Sequence, residues 1–241
     1  MEYKYYLLNK PLGVVCSTVD STINDPKYLN ITAVHITIYD YIKEKGIILT
    51  NNLHPIGRLD VNTNGVIVIT DDKKLLKLIR NPIINNDTNT IDNSNPFKEK
   101  EYILTLLGKK SHKLWNWNKE DEERMIEKLS EPFTFNLHNS LMECSRSNIT
   151  FISIYQDKEY MRGTDLNFLG WCLKVKVIIS EGKNRQIRRI ASRQGFKVLT
   201  LTRTKIAQIL DINSVPNEGD IRELSEDEIQ TLYKGFNQIE H

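Results

Sequence analysis

The run Val66-Ile67-Val68-Ile69-Thr70 constrains this chain more than any other stretch. It has no polar alternation and so no face to offer water, and it reads as a strand covered on both sides. Branching at Cβ stiffens Val, Ile and Thr toward the extended backbone. Just ahead of it lies the polar loop His54-Pro55-Ile56-Gly57-Arg58-Leu59-Asp60, followed by Val61-Asn62-Thr63-Asn64-Gly65. Asp60 is therefore carried by a tight loop braced by the core behind it and open in front. That is a good place to hold a nucleophile. Arg58, two positions away, sets the local charge. Taken alone, Asp60 is most simply a turn residue, since Asp readily hydrogen-bonds its own backbone.

Other elements follow from the same kind of reading. Tyr5 to Asn9 is a strand stopped by Lys10-Pro11-Leu12-Gly13, and Val14 to Thr18 resumes extended structure. Thr37 to Lys45 is a short helix closed by Gly46. Asp71-Asp72 cap a helix running through Leu75, Leu76, Leu78 and Ile79 to Pro82. Residues 85–97 are rich in Asn, Asp, Thr and Ser and read as a mobile loop. Glu101 to Leu107 is a strand, and Glu120 to Leu129 a charged helix with Met125, Ile126 and Leu129 inward. Leu173 to Ile179 alternates, which predicts one buried face. A helix is predicted from Asn184 to Gln194, closed by Gly195, and a strand from Phe196 to Arg203. Helices and strands mix without a regular βαβ repeat, so the expected class is α+β.

Composition removes several function classes. Of the 241 residues, 39% are hydrophobic, enough for a real core. With 33 Lys+Arg against 31 Asp+Glu the chain is not a highly basic binder, though a local basic groove stays open. The cysteines, Cys16, Cys144 and Cys172, are far apart and suggest neither a zinc site nor a disulfide framework. There is no apolar run of about 18 residues and no signal-peptide pattern, so the expectation is a reduced, cytoplasmic protein without a membrane span. The five histidines show no ligand spacing. Gly182-Lys183 lacks the remainder of a phosphate loop. Neither metal nor nucleotide cofactor is expected.

A second cluster runs Ser180-Glu181-Gly182-Lys183-Asn184-Arg185-Gln186-Ile187-Arg188-Arg189-Ile190-Ala191. Within the predicted helix, Ile187, Ile190 and Ala191 share one side. Arg185 and Arg188 share another, and Arg189 and Arg193 a third. Guanidinium groups so projected suit phosphates and a carboxylate partner. On its own the cluster is more simply a solvated basic face. Tyr102, after Lys98-Glu99-Lys100-Glu101, is a third candidate, able to stack on a base or relay a proton. A tyrosine there usually just fills a strand edge.

Taken together the clusters resemble the pseudouridine synthases, in the branch that modifies ribosomal RNA in bacteria and organelles. The resemblance rests on Lys10-Pro11-Leu12-Gly13-Val14-Val15, Gly57-Arg58-Leu59-Asp60 with Thr63 and Gly65, Lys100-Glu101-Tyr102, the Glu181 to Arg189 run, and Leu201-Thr202-Arg203. They occur in the family's order, from about Tyr5 to Leu224. The resemblance implies a mixed, mostly antiparallel sheet with flanking helices around a central RNA-binding cleft. It implies one catalytic domain over 1–241, in two subdomains, acting as a monomer on RNA. Asp60 matches the catalytic aspartate, Tyr102 the active-site tyrosine, and Arg188 the basic residue that pairs with the aspartate. Lys10, Arg58, Lys183, Arg185, Arg189 and Arg203 fall in motif positions that suit RNA contacts. The S4-type RNA-binding domain of many members has no counterpart here, so RNA selection is expected from the catalytic domain or a partner. Lys109 to Arg162 matches poorly. Ile206-Ala207 stands where the family has Ile-Gly, and Ile221-Arg222 where it has Trp-Arg.

The implied chemistry is coherent. Converting uridine to its C-glycoside breaks N1–C1′, turns the base and joins C5 to C1′. A carboxylate can attack C1′ or take the C2′ proton. The last step removes the C5 proton, where a phenol can assist. An arginine within about 4–6 Å of a carboxylate keeps it ionised. Flipping the nucleotide out of its stack costs a few kcal/mol, offset by contacts to flanking phosphates. The same machinery would serve transfer RNA, and a non-catalytic RNA-binding assembly factor would keep the fold.

Overall fold

The structure is a computed structural model that describes residues 3–16, 36–47, 53–80, 83–85, 90–92, 98–157 and 168–237. In chain order these form β1 (Tyr5–Lys10), α1 (Ile38–Glu44), β2 (His54–Pro55), β3 (Asn64–Thr70), α2 (Lys73–Arg80), β4 (Ile83–Asn85) and β5 (Thr90–Asp92). Next come β6 (Lys100–Lys109), α3 (Lys119–Ser130), β7 (Phe133–Leu137), β8 (Ser140–Cys144), β9 (Asn148–Gln156) and β10 (Phe168–Ile179). The chain closes with α4 (Gln186–Arg193), β11 (Lys197–Ile206), β12 (Leu210–Asp211), β13 (Ile221–Glu223) and α5 (Glu226–Asn237). The class is α+β, with mostly antiparallel strands. The chain divides into two compact units, Met1–Phe97 with Lys205–His241, and Lys98–Thr204.

In the first unit β1 lies antiparallel between β3 and β13, in the registers Leu7↔Val68 and Leu7↔Arg222. The run Val66–Thr70 is buried on both faces. Val66 and Val68 pack with Leu7, Leu75, Leu210 and Leu232. Ile67 and Ile69 point the other way and are just as deep. Thr37 caps α1, its Oγ1 accepting from the Asp40 amide at 3.1 Å. Asp72 caps α2, accepting from the Lys74 and Leu75 amides at 2.9 and 3.1 Å. Pro82 and residues 17–18 of the predicted extended stretch lie outside the described residues.

The mobile loop expected over 85–97 needs correction at its start. Asn85 and Thr90–Asp92 are paired backbone, Asn85↔Thr90 and Ile83↔Asp92 in β4 and β5. Ile and Thr favour extended structure even among polar neighbours. The rest of that segment lies outside the described residues.

The second unit is a sheet in the order β11-β6-β10-β9. β6 and β10 pair along nearly their whole length, with Tyr102↔Val177 and Leu104↔Val175 in register. The predicted alternation holds, with Leu173, Val175, Val177 and Ile179 buried. One sheet face, carrying Leu104, Leu106, Val175 and Val177, packs against Leu129 of α3 and Ile187, Ile190 and Ala191 of α4. α3 opens with a capping box between Asn118 and Asp121.

The predicted helix over Asn184–Gln194 starts two residues late, at Gln186. Arg185 stands at φ 50°, in the left-handed region, which an α-helix cannot contain. Asn184 and Arg185 therefore form a turn, and Arg185 and Arg188 do not share a helical face.

Candidate active site

Asp60 sits where three local devices meet in the first unit. Gly57, at φ 74°, lets the chain swing round after Ile56, whose amide donates to the Val68 carbonyl at 2.7 Å. Leu59 is buried, and its amide donates to Cys16 Sγ at 3.4 Å. The Asp60 carbonyl then accepts from the Thr63 amide at 3.0 Å, closing a turn over a buried Thr63. The Asp60 residue is thus pinned on both sides while staying half-buried. Arg58 is exposed beside it.

The Lys10-Pro11-Leu12-Gly13 turn locks onto this loop, because the Gly13 amide donates to the Val61 carbonyl at 2.9 Å. Lys10 is wholly buried, and its ammonium donates to the Pro11 and Val14 carbonyls at 2.8 and 2.7 Å. It holds the turn from within. Glu218 accepts from the Leu12 amide and from the Asn64 side chain, spanning the two loops. Nothing local marked Glu218; its partners lie 206 and 154 positions away.

The other candidates lie in the second unit, where Tyr102 and Arg203 share one sheet face. Tyr102 is i−2 and i−4 from Leu104 and Leu106 and so lies on the face that α3 and α4 cover. It is 7% exposed. Glu101 points the opposite way, meeting Thr204 Oγ1 at 2.8 Å and Lys176 at 3.8 Å. Arg203, next to Thr204 on β11, therefore lies on the Tyr102 face, and it is 2% exposed. Arg188 is half-buried on α4, one residue after the core-facing Ile187.

The loop before α4 is organised by Glu181. Its Oε1 accepts from the Ser145 amide at 2.8 Å and from Gln186 Nε2 at 2.7 Å. Gln186 Oε1 accepts in turn from the Lys183 amide at 3.2 Å. This fixes Lys183 and leaves Arg185 exposed at the turn. Arg189 behaves differently. Its guanidinium carbon lies 4.0 Å above the Phe135 ring, and its Nε donates to the Asn184 carbonyl at 3.0 Å. Arg193 lies 4.6 Å above Phe133. Residues one helical turn apart meet residues two apart on β7, which clamps the β7–β8 hairpin to α4.

Among the described residues no group of three or more His, Cys, Asp or Glu gathers as a metal site. No helix among them is long and apolar enough to cross a membrane. His112 is structural: it stacks on Phe196 at 4.2 Å, accepts from the Lys109 amide, and is held below its ordinary pKa by burial first.

The chain thus carries a braced aspartate in one unit and, in the other, a buried tyrosine and a buried arginine on one sheet face. Residues 4–193 match the family model for RNA pseudouridylate synthase, and the chain belongs to that family. It is 28% identical over 233 residues to the ribosomal small subunit pseudouridine synthase A of Haemophilus influenzae, covering 97% of this chain and 75% of that one. It is 26% identical over 230 residues to the protein of the same name in Escherichia coli K12, covering 95% and 74%. A crystal structure of a pseudouridylate synthase matches with a TM-score of 0.58 at 24% identity, over 96% of this chain and 74% of that one. It has the same fold.

Proposed function

We propose that this chain isomerises a specific uridine of ribosomal RNA to pseudouridine in the cytoplasm. The observation that carries the reading is the Asp60 loop, which fixes a half-open carboxylate with backbone bonds on both sides. The names of the bacterial relatives support ribosomal RNA as the substrate. Asp60 attacks C1′ or takes the C2′ proton, and Tyr102 assists removal of the C5 proton. Arg188 takes the part of the basic residue that the family resemblance assigns as the aspartate's partner. Arg58, Lys183, Arg185 and Arg203 contribute the positive field that offsets flipping the nucleotide.

Mapping pseudouridines across total RNA from cells with and without this protein tests the reading. One site lost from ribosomal RNA is expected. A loss confined to transfer RNA would move the substrate, and no loss would reject the activity.

A further inference from the structure

We infer that Glu218 is a positioning residue for the isomerisation: it clamps the segment that follows Asp60 and so sets the direction in which the aspartate is presented. The inference rests on Asp60's carrying the reaction. Residues 61–64 lead from Asp60 into β3, and the turn at Leu12 and Gly13 holds both ends of them. At the near end the Gly13 amide donates to the Val61 carbonyl at 2.9 Å. At the far end the hold runs through Glu218, whose Oε2 accepts from the Leu12 amide at 3.4 Å while its Oε1 accepts from Asn64 Nδ2. One attachment would let the segment swing about it; a second, from the neighbouring residue of the same turn, fixes its direction as well.

The anchor is itself fixed, and all of it belongs to the first unit. The Gly219 amide donates to the Asn9 carbonyl at 2.7 Å and the Asn9 amide to the Asp220 carbonyl at 2.9 Å, which fastens the backbone after Glu218 to β1. Asp220 Oδ2 accepts from the Asn217 amide at 2.8 Å and from the Asn217 side chain at 3.0 Å, closing the turn around Glu218. Gly219 stands at φ 88° with Tyr41 of α1 against it, so close that a Cβ there would lie 2.0 Å from the Tyr41 hydroxyl oxygen. Glu218 therefore reaches out from backbone tied to β1 and packed by α1. A carboxylate suits the bridge, because it offers two acceptor oxygens to two donors. Its charge is of the wrong sign for a phosphate contact, so gripping the RNA backbone does not account for it.

Tritium release from ribosomal RNA labelled at uridine C5, followed over a range of RNA concentrations, separates kcat from KM. Glu218→Ala should lower kcat about 10- to 100-fold, the order that a shift of about 1 Å at a reacting group costs, with KM within about threefold of the parent. Glu218→Gln should recover most of kcat, since its amide oxygen can take the Leu12 amide and its NH2 can meet Asn64 once the Asn64 amide turns its oxygen inward. Asn64→Ala cuts the same bridge from the other side and should lower kcat too, and the double variant with Glu218→Ala should be no slower than the slower single one. Parental kcat in folded Glu218→Ala or Asn64→Ala would overturn the inference. So would Glu218→Gln as slow as Glu218→Ala, which is the result of a role through charge alone, or a loss confined to KM. Those results leave the Asp60 reading standing, whereas release by Asp60→Asn at the parental rate would remove the reading and the inference with it.

Discussion

Lys10 and Asp72 show how a charged side chain can serve the fold from inside it. Lys10 was expected to meet RNA from its motif position, yet its ammonium is enclosed by two carbonyls of its own turn. Asp72 is also fully buried, accepting from Tyr5 at 2.6 Å, from Tyr233 and from two α2 amides, so it joins β1, α2 and α5. Burial alone would raise its pKa, but the bonds from Tyr233, Tyr5, Leu75 and Lys74 outweigh it and hold the carboxyl below the ordinary range. Burial, with the Asp72 charge, pushes both phenols well above theirs. A folded-state pKa below the unfolded one adds stability above the unfolded value, lost as pH falls through the folded value. Asp72→Asn should therefore cost about 1–3 kcal/mol at pH 7 and flatten the loss of stability below about pH 4. Urea melts at pH 7 and at acid pH measure both. The cap of α2 was legible in the sequence because it is local. The two tyrosines were not, since they come from 67 and 161 positions away.

At the scale of elements, sequence and structure coincide where burial pattern and caps agree. α1, α2, α3, β3, β6 and β10 lie where periodicity placed them. The start of α4 was misjudged because the signal that stops the helix is a backbone angle at Arg185, set by the Gln186–Glu181 bonds. The β7–β8 hairpin also passed unread. Its turn uses His138 and Asn139, both at positive φ, without the glycine that usually marks such a turn. α5 had a readable sign in Ser225 and Glu228, which cap each other's amides. Arg222, in the unusual Ile-Arg pair, makes a fork on Glu228 at 2.8 and 2.6 Å and ties β13 to α5. The other departure carries strain. Ala207, where the family has glycine, stands at φ 56° in the tight turn between β11 and β12. A Cβ there costs about 1–2 kcal/mol, partly offset by the entropy that glycine restores to the unfolded chain. Ala207→Gly should stabilise the protein by about 0.5–1 kcal/mol with activity unchanged, read by equilibrium unfolding and uridine conversion.

On the scale of the whole molecule, the residues that motif order singles out are distributed over two units. Asp60, Arg58 and Lys10 belong to one, and Tyr102, Arg188 and Arg203 to the other. That division was not visible in composition, because the return at Lys205 carries no break in the apolar pattern. It follows from long-range pairing, as when β13 meets β1 across the length of the chain. Motif order points to Asp60, and the structure adds that its loop is held by the turn at Gly13 and by Glu218.

The central claim is that Asp60 carries the isomerisation. Tritium release from ribosomal RNA labelled at uridine C5 tests it, because forming the new C5–C1′ bond expels that hydrogen. With Asp60→Asn, release should fall by at least about 10³-fold, while RNA binding stays within about threefold of the parent. Release by Asp60→Asn at the parental rate would contradict the account.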